Sequence, residues 1–428
     1  MRRKLLLALP VALMLVAAGC KVDTINYFPP HPANVRVINL MADAPSIDVQ
    51  VGGSPAFSGV AFQAATGYQS FNNQTTSFAV FVSGSTTPLT TFSAPLAGEQ
   101  PYTLIVFGSQ QYPGASLFSE VAKAPTNGNI QFTVFNAAIN NGFIDVYVTT
   151  PGADITQLNP NFGNISYNGV ALNLAFAPGT YQIQVTPSGT KTVIYDSGGT
   201  ALTPNIALAF IAYSKGSGTL ANAAVIQSQG PTGLLNNVFT RLKVMNSASS
   251  VAAVNVTQGA FSVATNVGYG SASTYTQGPQ GPTVVNYEAS ATPGAVIASV
   301  STTLGAGTDN STFIVGLPGS QQAYVLQDQN LLPAQGSIVR LRFVNASWNS
   351  NPVNVSINNT PLASNVAFPN ASAYVQFPAG TYAITFTDAV TGDVVLTADS
   401  GALVAGHTST VYMIGPAGAL GSVVTQDY

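Results

Sequence analysis

Apolar and polar residues alternate one for one along three short stretches of the chain. Ile47, Val49 and Val51 are separated by Asp48 and Gln50, Ile144, Val146 and Val148 by Asp145 and Tyr147, and Val353, Val355 and Ile357 by Asn354 and Ser356. A period of two puts the apolar set on one face of a β-strand and the polar set on the other. "GTYQIQV" and "GTYAITF" read as a turn leading into a strand, with Gly supplying the unusual backbone angle. Apolar runs such as Ile206 to Tyr213 have the length of strands, and no segment carries a sustained helical stripe with caps.

These strands sit inside a longer repeat. "RVINLMADAPSIDVQV" returns as "TVFNAAINNGFIDVYV", "KVMNSASSVAAVNVTQ" and "RFVNASWNSNPVNVSI", with an Asn and an Asp or Asn nine residues apart each time: Asn39 and Asp48, Asn136 and Asp145, Asn246 and Asn255, Asn345 and Asn354. The first members are spaced by 97, 110 and 99 residues, which is the period of tandem domains and too long for a solenoid. Pro55 and Pro361 lie seven residues beyond the Asp or Asn, and Val60-Ala61-Phe62 and Val366-Ala367-Phe368 begin twelve beyond it. The second copy keeps this frame with eight extra residues near "TTPGADITQLNP", making Tyr181 and Tyr382 equivalent. About 95 residues of short strands per unit suit an all-β chain of tandem immunoglobulin-like antiparallel β-sandwiches, ~7 strands each. The expected organisation is a signal segment (1–19), a Pro-rich tether (20–33) and four sandwich repeats in series at 34–125, 128–230, 237–333 and 337–428.

"RVINLMADAPSIDVQVGGSPAFSGVAF" and "PVNVSINNTPLASNVAFPNASAYVQFPAGTY" resemble a bacterial domain-of-unknown-function family, 4397. Its members share an Asn or His, an Ala-Pro loop, an Asp-Val strand, a Pro and a V-A-F segment. The second repeat follows the pattern less fully, and the third lacks the "GTY" strand. The resemblance implies a β fold and a secreted or lipid-anchored location, and it implies no activity.

The N-terminus has Arg2, Arg3 and Lys4, an apolar run from Leu5 to Ala18 and a small-residue end. That is the layout of a secretory signal, too short for the ~20 apolar residues of a membrane span. Val16-Ala17-Ala18-Gly19-Cys20 resembles a bacterial lipobox, with Ala17 where Leu is commoner. This implies cleavage before Cys20, the only cysteine, and acylation of its thiol and amino group; more than one acyl chain gives stable anchoring. Pro29, Pro30 and Pro32 favour an extended spacer. Lys21, rather than Asp, after the Cys implies the outer membrane in a Gram-negative cell. The membrane is thus the first expected partner.

Charged residues make up only 6% of the chain, against ~25% in ordinary soluble domains. Of twelve basic residues, three lie in the signal segment, leaving nine against fifteen acids. With no basic cluster to neutralise phosphates, nucleic acid is not an expected partner.

Two readings compete for the recurring Asn/Asp pair. Their side chains can satisfy backbone groups of the loop between them, as Asn and Asp habitually do, or they can supply oxygens to Ca²⁺. Asn at 255 and 354 favours the structural reading, because a cation site would lose charge there; Asp43 beside Asp48 leaves calcium as an alternative for the first repeat alone. No metal or cofactor is expected. "YDSGG" (195–199) resembles the segment around the nucleophile of chymotrypsin-like proteases, but a triad needs a histidine base. His31 lies in the tether and His407 in another repeat, while "ADSGA" (398–402) recurs at a comparable place, which points to a turn. No nucleophile elbow, phosphate loop or zinc spacing occurs, and a non-enzymatic protein is expected. Tyr68, Tyr147, Tyr275, Tyr324 and Trp348 fall in loops or at outward positions, where aromatics either stack on sugars and partners or pack against neighbouring loops. Trp348, Tyr147 and Tyr68 are the candidate binding residues, Trp348 first. The expected role is a lipid-anchored envelope protein serving as spacer, adhesin or binding module for a glycan or protein. The alternative is a carbohydrate-binding accessory to polysaccharide or peptidoglycan processing.

Overall fold

A computed structural model describes residues 31–331, 333 and 337–428; the signal segment, Cys20 and the tether up to residue 30 lie outside them. The described chain is all-β, with 33 strands in eight sheets that pair into four sandwiches. Repeat 1 contains β1 (Ala33–Asn39), β2 (Ser46–Val51), β3 (Ser54–Ala61), β4 (Gln69–Phe71), β5 (Thr75–Val82), β6 (Thr90–Pro95), β7 (Pro101–Gly108) and β8 (Pro113–Ser119). One sheet has the order β4-β1-β7-β8 and the other β3-β2-β5-β6. The alternation in β2 turns Ile47, Val49 and Val51 inward, where they meet Val35, Val37, Phe78, Val80, Leu104 and Val106. Each such side chain contributes roughly 1.5–3 kcal/mol on burial.

Two features depart from the expected sandwich. Each repeat has at least eight strands rather than seven, and repeat 2 adds Thr232–Leu235 to make a five-stranded sheet. The pairing is also not wholly antiparallel. The chain crosses to the opposite sheet after β1, so the neighbours of β1 come from later in the chain: β4 runs antiparallel to it, and β7 runs parallel in register from Asn34↔Pro101 to Asn39↔Val106. The same parallel pair recurs in repeats 2, 3 and 4. In repeat 3, Gly281–Ala289 occupies the place of Gly179–Pro187 and Gly380–Asp388, so the strand is present although its sequence begins Gly-Pro-Thr instead of Gly-Thr-Tyr.

The repeats are not separate beads. The sheets that hold the parallel pairs lie back to back, repeat 1 on repeat 2 and repeat 3 on repeat 4. Ile38, Ile105 and Phe107 pack on Phe135, Ile211 and Tyr213 in the first seam, with the Phe107 and Phe135 rings edge to face at 5.4 Å. Met245, Phe313 and Val315 pack on Val344, Tyr412 and Ile414 in the second. Strands buried on both faces read as unbroken runs. β7 is buried at every position, as are Asp309–Val315 and Thr408–Ile414, although those two open on three or four polar residues and turn apolar only in their second halves.

Candidate functional site

The first member of the recurring pair does the same work in all four repeats. Asn39 is buried at the end of β1; its amide donates to the carbonyls of Ala44 and Val60 at 3.1 Å each, and its carbonyl oxygen accepts the Met41 amide at 3.0 Å. Asn136, Asn246 and Asn345 repeat this three-way brace on Gly142 and Ile165, Val251 and Val267, and Asn351 and Val366. Each brace ties the loop after the first strand to the end of the third. Loss of one would strand buried polar groups, which is why Asn recurs.

The second member has a different task from the one its spacing suggests. Asp48 braces not the loop before it but a bulge in β3: it accepts the Gly59 amide at 2.7 Å and the Ser83 hydroxyl at 2.8 Å. Asp145 takes the Asn164 amide and the Ser188 hydroxyl, Asn255 takes Asn266 and Ser290, and Asn354 takes the Asn365 amide. The donor at the bulge always has positive φ (Gly59 61°, Asn164 57°, Asn266 54°, Asn365 53°), a conformation open chiefly to Gly and Asn. The Gly59 amide holds the Asp48 carboxyl below its ordinary range, helped by Ser83 and Gly84. Asp43 points elsewhere, accepting the Gln110 amide at 3.0 Å. Among the described residues, no three His, Cys, Asp or Glu groups come together to hold a metal ion.

The Asp-Ser-Gly segments are strand bulges rather than turns. Gly198 and Gly401 have positive φ and donate to Asp196 and Asp399, while Ser197 and Ser400 accept the Ile183 and Tyr382 amides and donate to the next carbonyl. Both hydroxyls are engaged with backbone, and neither meets a histidine.

The buried ion pairs lie at the seams between repeats. Arg36 on β1 meets Glu120 at 3.1 Å and reaches into repeat 2, donating to the Gly230 carbonyl at 2.6 Å and the Gln227 carbonyl at 2.9 Å. Lys243 of repeat 3 pairs with Asp427 of repeat 4, and Arg342 of repeat 4 pairs with Asp328 of repeat 3. Arg241 pairs with Asp309 at 2.6 Å and donates to Thr219 of repeat 2 at 2.8 Å. Burial pushes the Asp328 carboxyl up, but Arg342 and Lys243 outweigh it and hold the group below its ordinary value.

The candidate aromatics divide accordingly. Tyr68 is half-buried at the first seam, its ring 4.6 Å from the Arg36 guanidinium and its hydroxyl donating to Glu120. Tyr275 and Tyr374 hold the equivalent place, 29 residues after their repeat's Asn, under Arg241 and Arg340. Tyr324 stacks on Phe313 and meets Phe368 edge-on across the second seam. Tyr147 does face outward from its sheet, yet it is only 1% exposed: Lys191 lies 4.7 Å above the ring and also grips the Leu158 carbonyl, so the extra loop of repeat 2 roofs that face. Trp348, 36% exposed in its loop, is the one named candidate left at the surface.

Sequence reasoning missed the outer face of repeat 1. Residue 50 is the counterpart of Tyr147, and no insertion covers it. Two adjoining clefts of about 320 and 350 Å³ meet at Gln50, one bounded by Ser77, Ala79, Thr91 and Ser93, the other by Pro55, Ser58, Phe81 and Thr86.

The model for a domain of unknown function, DUF4397, matches residues 33–147, 240–356 and 339–428, more than half of the chain. The chain belongs to the DUF4397 family. The DUF4397 match runs through repeat 3 from residue 240, including the Gly281–Ala289 strand that lacks the Gly-Thr-Tyr signature, but stops in repeat 2 at residue 147, in its second strand and before the roofing insertion. Similar solved structures include a family 26 carbohydrate-binding module of Eubacterium rectale in complex with maltoheptaose (12% identity, 47% of this chain and 98% of that one, TM-score 0.17). Family 41 carbohydrate-binding modules from streptococcal virulence factors (11%, 38% and 86%, 0.14) and the Bacillus anthracis TIE protein (9%, 90% and 66%, 0.16) are also similar. At these scores the likeness carries nothing about the DUF4397 chain's ligand. No protein of curated function matches it.

Proposed function

We propose that this DUF4397 protein is a non-enzymatic, lipid-anchored protein of the bacterial cell envelope, a rigid support that presents a binding face. The observation that carries the reading is where the charge goes. Four buried ion pairs hold repeats together or stiffen the strands at their seams, and the outer sheet face of repeat 1 is left with the neutral polar groups Gln50, Ser77, Thr91 and Ser93. Acid–base catalysis needs titratable groups poised in a cleft, and here the buried acids are each held by a cation or by backbone amides. The lipobox at Cys20 supplies the anchor, and the extended tether sets the repeats off from the bilayer.

Membrane fractionation of cells expressing the full chain and its Cys20→Ser variant tests the anchor. The wild type should sediment with membranes and take up labelled palmitate, and the variant should do neither. Equal sedimentation and labelling of both would end the reading. Protease added to intact cells then separates an outward-facing adhesin, which is shaved, from a periplasmic module, which is protected.

A further inference from the structure

We infer that the outer face of the β3-β2-β5-β6 sheet in repeat 1 is a binding groove for a neutral polysaccharide chain. The inference rests on the presenting role above and names the face that presents.

Strand alternation turns Phe78 and Val80 into the core and leaves Ala79 and Phe81 on the outside of β5. Gln50 of β2 and Thr91 and Ser93 of β6 share that side. The two clefts meeting at Gln50 run obliquely across all four strands, from Thr91 and Ser93 at one margin to Pro55 and Ser58 at the other. Each falls within the ~300–1,000 Å³ of small-molecule sites.

The chemistry of the lining selects the ligand. It offers hydroxyls (Ser58, Ser77, Thr91, Ser93) and one carboxamide (Gln50), with the edge of Phe81, 9% exposed, as the aromatic on the outward side of β5. Hydroxyls and amides both donate and accept, which matches the repeated hydroxyls of a sugar chain, and an aromatic suits the apolar face of a pyranose. The only charged side chain in the lining is Asp48, and its oxygens are already taken by Gly59, Ser83 and Gly84. No cation is there to receive an acidic sugar, a phosphate or a peptide carboxylate. The groove also crosses the sheet face rather than following a free edge, so it offers no backbone ladder for a peptide to extend.

Repeat 2 supplies the internal contrast. Its equivalent face is closed by its own loop, with Ile155 buried and Lys191 pinned over Tyr147. The same sheet face is therefore roofed by an insertion in one repeat of the tandem pair and left without one in the other.

The test is native electrophoresis of the full chain in detergent micelles, through gels containing dextran, lichenan, xyloglucan, galactomannan or, as the acidic control, polygalacturonate. At least one neutral polymer should retard the wild type. Gln50→Ala should weaken that retardation at least tenfold, and Ala79→Arg, which fills the groove from an outward position, should abolish it. Trp348→Ala should retard like the wild type. Melting curves establish that each variant is folded, and Thr91→Ala replaces Ala79→Arg if that variant is not. Retardation by no neutral polymer, by polygalacturonate alone, or equally in the groove variants would overturn the inference. A wild type that binds glycan but fails to sediment with membranes would overturn the anchor and leave the groove intact.

Discussion

Lys243 and Asp427 lie 184 residues apart in the chain and form a buried ion pair between repeats 3 and 4. Arg342 and Asp328 form its reciprocal: each base stands three residues before its repeat's Asn, and each acid 82 residues after it. Equivalent residues thus exchange partners about a local two-fold, as in the self-complementary contact of a symmetric dimer. Two tandem repeats of one chain play the part of two subunits.

Cutting one side of this exchange leaves a buried charge without its partner. Asp328→Asn should cost roughly 3–5 kcal/mol in chemical denaturation, whereas the conservative Arg342→Lys should cost less. Replacing Asp328 and Arg342 together with apolar residues of similar volume should recover much of the loss, and a double-mutant cycle measures the coupling directly.

Acid should open the second seam. Asp328 titrates below its ordinary value in the folded chain, so its contribution is complete above the unfolded value of ~3.9 and is lost as pH falls through the folded one. Asp48 and Asp145, also held low, act in the same direction. Lys243 is raised instead, so its contribution is complete below ~10.4 and is lost only as pH rises beyond that. Denaturation midpoints should be flat across neutral pH and drop below about pH 4, with Trp348 fluorescence reporting on repeat 4.

The two members of the recurring pair should respond differently. Asn246→Ala removes three buried hydrogen bonds and should cost at least ~2 kcal/mol. Asp48→Asn should cost under about 1 kcal/mol, because repeats 3 and 4 already use Asn there. Added Ca²⁺ should leave the melting temperature of both unchanged, and a rise of several degrees in the wild type would revive the cation reading for repeat 1.

Tyr428 fastens repeat 4 to repeat 2. Its ring lies against Gly218, where a Cβ would come within 2.4 Å of it, and its hydroxyl reaches the Asn140 carbonyl at 3.3 Å. Tyr428→Ala should leave each sandwich folded but raise hydrogen exchange at 138–142 and 216–220. Unchanged protection there would mean that the ring contributes nothing to the contact.

Within each repeat the chain advertised its structure well. The period-two stretches became strands, and Asn39, Asn136, Asn246 and Asn345 frame the same loop four times. What parity could not convey is whether an outward residue meets water. Tyr147 faces away from its core and is buried all the same, because an insertion eight residues long folds back over it. Tyr68 and Tyr275 looked like surface aromatics, since their cationic partners are remote in sequence. The back-to-back seams did leave a trace in the unbroken run of Ile206 to Tyr213, since a strand solvated on one side would alternate. Two faces buried in one repeat imply a second repeat against it.

The position of β1 has a mechanical consequence. It lies inside its sheet, hydrogen-bonded to β4 on one side and to β7 on the other. Tension applied at the N-terminal end of the chain runs along β1, loading both ladders lengthwise in shear. The bonds must then fail together rather than one after another, as they would in a strand peeled from an edge. A body hung by this end resists the drag of its surroundings at the very strand where the pull enters.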